Sequence, residues 1–251
     1  MKPQVYIDPR PAEYFDKYHE RVRRGRPDGV YRLVRLVLTG PILAGYRFRA
    51  IDVQNVPERG PVLLAPNHFS FWDHFFVAVL LRREVHFMAK SQLFKPALLA
   101  SFINHGGVFP VRRGQRDGEA FITAHTIFNR GGMVLMYAEG GRSRNKELGQ
   151  PKPGLGRLAL EAGVPVVPIA IHGSERVREA KRGVLPKVTV QYGEPIGFGQ
   201  VDHPTREQSQ EVADQVFGRV RVMHDALTKQ GRRGVLERLR EERRQGAPAT
   251  G

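Results

Sequence analysis

The sequence predicts a single-domain α/β fold, with a mixed, mainly parallel sheet flanked by helices. Two observations carry this. Short apolar runs rich in Val, Ile and Leu alternate along the chain with segments of helical periodicity, as strands joined by crossover helices do. Several of these runs end in polar or charged residues, which is how an open α/β sheet presents a site at the carboxyl ends of its strands. No internal repeat or long linker divides the 251 residues, and that length suffices for one large core.

In chain order, residues 12–24 read as a short polar helix and 30–46 as an amphipathic helix interrupted at Gly40-Pro41. Phe48 to Val53 is a strand, and Val56-Pro57-Glu58-Arg59-Gly60 a turn into the central strand Val62–Pro66. The polar loop Asn67–His74 follows, then the apolar helical run Phe75–Leu81. Val85–Ala89 is a strand ending in Lys90, 96–104 a helix, and Gly107–Val111 a strand ending in Arg112-Arg113. A helix over 117–129 precedes the strand Gly132–Tyr137, which runs into Ala138-Glu139-Gly140-Gly141-Arg142-Ser143-Arg144. A helix over 155–162, strands Val164–Ile171 and Lys187–Tyr192, and a last helix complete the order. That helix opens on the capping box Thr205–Gln208, and its stripe is Val212, Val216, Val220, Met223 and Leu227.

Composition narrows the function. Hydrophobic residues make up 41%, so the chain is globular. Cysteine is absent, which excludes disulfides, thiolate metal sites and a cysteine nucleophile. The formal charge of +15 implies an anionic partner: nucleic acid, an anionic lipid surface or a phosphorylated substrate. Both ends are basic. The division expected is a basic, amphipathic, membrane-facing segment over 1–47, the main domain over 48–230 and a basic tail over 231–251. No apolar leader is visible in residues 1–29, and Val30–Tyr46 is too short and too charged to span a bilayer, which takes about 20 apolar residues. Its apolar stripe flanked by arginine can lie in a membrane interface or pack on the domain itself.

The chemistry gathers at strand ends. Asn67, His68 and Asp73 follow the first, Lys90 the second, Arg112 and Arg113 the third, and Glu139, Arg142 and Arg144 the fourth. Five residues apart on one helix, His68 and Asp73 would point about 140° from each other, so they meet only if His68 sits in the loop and Asp73 in the first helical turn. Ser70-Phe71-Trp72-Asp73 fits a capping box with Ser70 as N-cap, so Asp73 could serve only as the cap's partner. A His–carboxylate pair otherwise offers a general base with an orienting group, and the cations offer a phosphate clamp.

These segments resemble the lysophospholipid and glycerol-phosphate acyltransferases, the 1-acyl-glycerol-3-phosphate acyltransferase group. Its block N-H-x-S-x-x-D matches Asn67-His68-Phe69-Ser70-Phe71-Trp72-Asp73, and its glycine and apolar strand ending in Arg matches Gly107–Arg113. Its E-G-T-R-S matches Glu139-Gly140-Gly141-Arg142-Ser143, with Gly141 in place of threonine, and its V-P-x-x-P strand matches Val164–Pro168. The resemblance implies the fold of that family and acyl transfer from acyl-CoA or acyl-carrier protein to a lysophospholipid hydroxyl. It implies His68 as base and Asp73 as its orienting partner. Arg113, Arg142, Glu139, Gly140 and Lys90 form the substrate-binding set, with Glu139 bracing an arginine. Asn67 and Ser70 fix the loop and Pro168 shapes its strand. It implies no metal ion and no prosthetic group, and a lysolipid and an acyl donor as partners. The apolar stretch Val30–Tyr46 flanked by arginine, the basic ends and a lipid substrate predict binding to an anionic membrane surface, as peripheral attachment at the cytoplasmic face of the cell membrane.

Rival readings are a metal-dependent hydrolase built on His68, Asp73 and His74, a nucleic-acid module carried by the basic charge, and a membrane scaffold without catalysis. No further His/Asp cluster supports the first, and the basic ends lack interleaved aromatics for the second.

Overall fold

The computed structural model describes residues 7–114, 117–143, 145–177 and 185–246. Helices α1 (Asp16–Arg24) and α2 (Gly29–Gly45) precede strand β1 (Arg49–Ile51). Then come β2 (Val62–Pro66), α3 (Asp73–Ala78), β3 (Val85–Lys90), α4 (Ala97–His105) and β4 (Val108–Val111). The remainder is α5 (Gly118–Asn129), β5 (Met133–Leu135), α6 (Pro153–Ala162), β6 (Val166–His172), β7 (Thr189–Tyr192) and α7 (Arg206–Arg244).

The strands form one sheet in the order β1-β7-β6-β2-β5-β3-β4. Every neighbouring pair is parallel except β6 with β7. This is the mixed, mainly parallel sheet that the alternating runs predict. The central strands are apolar throughout because helices cover both faces. Along β2, Leu63 and Ala65 enter the core layer under α5, α6 and α7, while Val62 and Leu64 enter the layer shared with α3. Pro168 sits in β6 opposite Ala65, one residue before the ladder to β7 starts at Ile169, so its missing N–H interrupts no bond to β7.

On the α7 face, helices α6 and α7 approach so closely that a Cβ built on Gly156 would lie 1.9 Å from the Ser209 carbonyl oxygen. Only glycine fits that contact.

Three segments differ from expectation. Helix α2 runs through Pro41 without interruption. Proline removes a single N–H donor, and the burial of Ile42 in the core holds the turn that follows. Residues 231–244, expected as a basic tail, are helical and packed. The chain breaks direction at Gly231 (φ 67°), then buries Val235 and Leu239 in the core. Arg232 ties this segment to the sheet through Thr189 Oγ1 (2.8 Å) and the carbonyls of Arg47 and Val188, and Arg243 pairs with Asp52. In the amino-terminal segment, α1 buries Tyr18 and Val22. Helix α2 instead leaves Leu33, Leu36 and Val37 exposed, Leu36 by 77%. Residues 1–6 and 247–251 of the two ends lie outside the described residues.

Candidate active site

Because β2 to β5 are parallel, their carboxyl ends share one edge of the sheet, and the polar loops meet there. The loop after β2 is held from below by Asn67, which joins β2 to β6. Its Nδ2 donates to the Ile171 carbonyl (3.0 Å), and its Oδ1 accepts from the Ile171 N–H (2.7 Å).

Above it, the fully buried Asp73 gathers three donors on one oxygen. His68 Nδ1 donates at 2.9 Å, and the N–H groups of Phe69 and Ser70 each donate at 2.7 Å. His68 therefore lies in the loop and Asp73 at the first helical position, the arrangement their spacing requires. The capping box is only half formed. Asp73 accepts from the Ser70 N–H, but Ser70 Oγ takes the Trp72 N–H (3.2 Å) and the helix starts at Asp73 itself. The three donors converging on one carboxylate curl residues 68–72 into a tight loop, which leaves no room for a helical turn from Ser70.

The loop after β5 grips His68 from the other side. Glu139 accepts from the His68 N–H (2.8 Å) and the Gly149 N–H (2.6 Å), so it braces main chain and not an arginine as expected. Ser143 N–H donates to the His68 carbonyl (2.8 Å). The Tyr137 ring stacks on the imidazole, with centroids 3.7 Å apart and planes 15° from parallel. With Nδ1 committed to Asp73, Nε2 is the ring nitrogen left for a ligand.

A cavity of about 1090 Å³ opens beside His68. The strand ends and the loops after them contribute Lys90, Arg113, Arg142 and Lys152 to its lining, and the apolar lining includes Val34 and Leu38 of α2, Phe75 of α3, Phe87 of β3, and Leu99 and Phe102 of α4. Arg113, not Arg112, reaches it; the Arg112 N–H instead caps onto Asp117. Gly141, which stands where threonine is usual, lies against Arg113, and a Cβ there would meet Nη1 at 3.5 Å, an ordinary contact. Gly140, at φ +66°, likewise leaves room for the Lys152 side chain to cross the loop. Arg144 falls outside the described residues, and Pro168 is not among the lining residues.

Electrostatics follow from this crowding. Burial pushes the His68 imidazole below its ordinary value, against the opposing pull of Asp73, and Arg142 and Arg113 push the same way as burial. His68 is thus neutral and able to accept a proton near pH 7. Burial and then the Arg142 charge hold Arg113 below its usual value, a repulsion that an anionic ligand would relieve. Burial raises the Glu139 carboxyl.

His74 does not join His68 and Asp73 as a ligand set. Its ring packs on Phe75 and meets Phe71 and Phe87 edge-on, and burial lowers it to about 4. Among the described residues no three His, Asp or Glu side chains come together as metal ligands.

Sequence reasoning missed two residues at this site, Tyr137 and Lys152. Tyr137 was absorbed into its strand. Lys152 precedes α6 in a Pro/Gly-rich connection, where no periodicity signals direction.

Comparison with known proteins agrees with the resemblance read from the four blocks. A family model described as acyltransferase matches residues 47–172. A probable 1-acyl-sn-glycerol-3-phosphate acyltransferase of Mycoplasma genitalium is 28% identical over 191 residues, spanning 69% of this chain and 70% of the relative. A glycerol-3-phosphate acyltransferase of Pseudomonas fluorescens is 31% identical over 169 residues, which is 60% of this chain but 20% of that longer protein. The crystal structure of a 1-acyl-sn-glycerophosphate acyltransferase from Thermotoga maritima superposes with a TM-score of 0.59 at 19% identity. It covers 86% of this chain and 89% of its own, and shares the fold. The matched region takes in half of the 251 residues, from the approach to β1 through the end of β6, and the chain belongs to the acyltransferase family.

Proposed function

We propose that the protein acylates a lysophospholipid, 1-acyl-sn-glycerol-3-phosphate, to give phosphatidic acid, with acyl-CoA or acyl-carrier protein as donor. The observation that carries this is the cavity beside His68: one space lined by Lys90, Arg113, Arg142 and Lys152, by a large set of apolar side chains, and by His68 itself, which Asp73 holds from behind. A phosphomonoester suits its cations and a fatty chain its apolar lining. The names of the Mycoplasma and Thermotoga relatives point to the same acceptor.

In this reading His68 Nε2 takes the proton of the acceptor hydroxyl as its oxygen attacks the thioester carbonyl. Asp73 fixes the tautomer and stabilises the imidazolium. The tetrahedral intermediate collapses with cleavage of the C–S bond, and the thiolate leaves with the proton that His68 returns. The acceptor itself is the nucleophile, so no acyl-enzyme forms, and the balance requires neither metal ion nor prosthetic group. Arg113 and Arg142 bind the phosphate, with Lys90 and Lys152 beside them. Gly140 allows the close approach, and Asn67, Ser70 and Glu139 hold the loop.

The deciding experiment offers purified protein labelled acyl-CoA, or acyl-carrier protein, with a panel of lysolipids and glycerol 3-phosphate, and identifies products by mass. Phosphatidic acid from lysophosphatidic acid supports the assignment. Transfer to glycerol 3-phosphate or to another lysolipid in its place reassigns the acceptor, and no transfer to any acceptor overturns the function.

Arg142→Ala is expected to raise the acceptor KM and leave the donor KM nearly unchanged. Loss of one charge-assisted contact costs on the order of 1.5–3 kcal/mol, or roughly ten- to 150-fold in kcat/KM. A raised donor KM with an unchanged acceptor KM would move Arg142 to the donor.

Peripheral attachment at the cytoplasmic face of the membrane belongs to the same proposal. Among the described residues no helix is long and apolar enough to cross a bilayer. Helix α2 exposes Leu33, Leu36 and Val37 while its neighbour α4 exposes Leu98 (89%), Leu99 and Phe102, next to the apolar part of the cavity. Co-sedimentation should be strong with anionic liposomes and much weaker with neutral ones, and high salt should reduce it. Equal binding to both, or binding to neither, sinks this attachment.

A further inference from the structure

We propose that Tyr137 is a positioning residue for the His68 base: its ring face keeps the imidazole aligned with Asp73 and attracts the imidazolium that forms during transfer. The catalytic half of this rests on the acyl-transfer reading above, and the stacking half on geometry.

Two neutral aromatic rings prefer offset or edge-on packing with centroids about 4.5–7 Å apart. The Tyr137–His68 pair is closer and flatter, at 3.7 Å and 15°. A ring that becomes cationic is drawn onto the electron-rich face of its neighbour, which favours this arrangement. Among the described residues no group hydrogen-bonds the buried Tyr137 hydroxyl, whereas its ring face lies directly on the imidazole. The platform is anchored to the strand that carries His68: Met136 N–H donates to the Leu64 carbonyl at 3.0 Å, and Gly140 N–H closes the turn onto the Tyr137 carbonyl at 3.0 Å. Asp73 restrains the imidazole only at Nδ1, within the ring plane. Tyr137 blocks tilting out of that plane and keeps Nε2 facing the cavity.

The charges around His68 make a second stabiliser useful. From α3 come Asp73 and the neutral His74, from the loop after β4 Arg113, and from the loop after β5 Arg142. Glu139 contacts only the main-chain N–H of His68. Of these, Asp73 alone favours the imidazolium, against two arginines and burial.

The test places Phe, 3,4,5-trifluorophenylalanine or Leu at position 137. The imidazole of His68 is followed by 15N NMR titration, and acyl transfer by steady-state kinetics. Tyr137→Phe keeps the electron-rich ring face and is the reference against which the other two variants are read. The fluorinated ring keeps its shape but loses the negative potential of its face. It should lower the His68 pKa and cut kcat roughly 3- to 30-fold with the acceptor KM unchanged, and Tyr137→Leu should do the same. A fluorinated variant that titrates and turns over like Tyr137→Phe overturns the proposal. The titration needs no activity. An unmodified protein that transfers no acyl group therefore sinks the proposed function, while the His68 titration still decides the stacking.

Discussion

Asp73→Asn is expected to lower turnover by about 10²–10⁴, the scale of a histidine base held in the wrong tautomer with an uncompensated charge. The neutral amide keeps an oxygen for the N–H groups of Phe69 and Ser70, so the loop can still close. It cannot stabilise the imidazolium of His68, and its nitrogen must go to the position of Oδ1. That atom is buried and has no hydrogen-bond partner among the described residues, so the new donor is orphaned there. Stability should fall by about 1–3 kcal/mol, more than loss of a half-formed cap alone implies. Thermal melting and transfer rates on the one variant separate the two effects. Normal turnover in a destabilised protein would leave Asp73 as an organiser of the loop and nothing more.

The largest effect on stability is expected from Gly156→Ala. Glycine inside a helix is ordinarily unfavourable by roughly 1 kcal/mol relative to alanine, so the bare propensity predicts a gain. Here the added methyl meets the Ser209 carbonyl oxygen at 1.9 Å and the Ala213 nitrogen at 3.0 Å, both main-chain atoms that cannot rotate away. Helices α6 and α7 must move apart, which costs about 1–3 kcal/mol or more. At this chain length that is a drop in Tm of roughly 2–12 °C. Gly218→Ala, on α7 with nothing within 4 Å of the new methyl, is the control and should stabilise. Equal melting of the two variants would show that the helices separate without cost.

Much of this was legible because strand ends and site residues coincide in a parallel sheet. Val62–Pro66, Val85–Lys90 and Val108–Val111 are apolar runs whose last residues abut the polar loops. The blocks carrying His68, Asp73, Arg113 and Arg142 are local, so sequence order is enough to find them. What was not legible depends on distant partners. The antiparallel turn of β7 against β6 leaves no mark in Thr189–Tyr192 itself. Residues 231–244 read as tail because arginines outnumber apolar residues, although Val235 and Leu239 are spaced as one helical face and both are buried. The role of Glu139 was misread since a carboxylate beside arginines suggests an ion pair, whereas the nearest donors are main-chain N–H groups brought in by folding. Choosing between Arg112 and Arg113 needed the fold of the loop after β4, where the Arg112 N–H turns to Asp117 and Arg113 reaches the cavity.

The edge strand β1 has consequences for the order in which the protein is made. Among the described residues its only neighbour in the sheet is β7, and Arg49 pairs with Thr189, 140 residues later. At a synthesis rate of about 5–20 residues per second, β1 waits roughly 7–28 s on the ribosome before its partner is translated. The clasp that Arg232 makes onto Arg47 and Thr189 comes later still. Throughout that interval α2, with Leu33, Leu36 and Val37 exposed, has emerged ahead of the strands that later hold it in place. A nascent chain of this topology displays the exposed apolar face of α2 before its sheet can close.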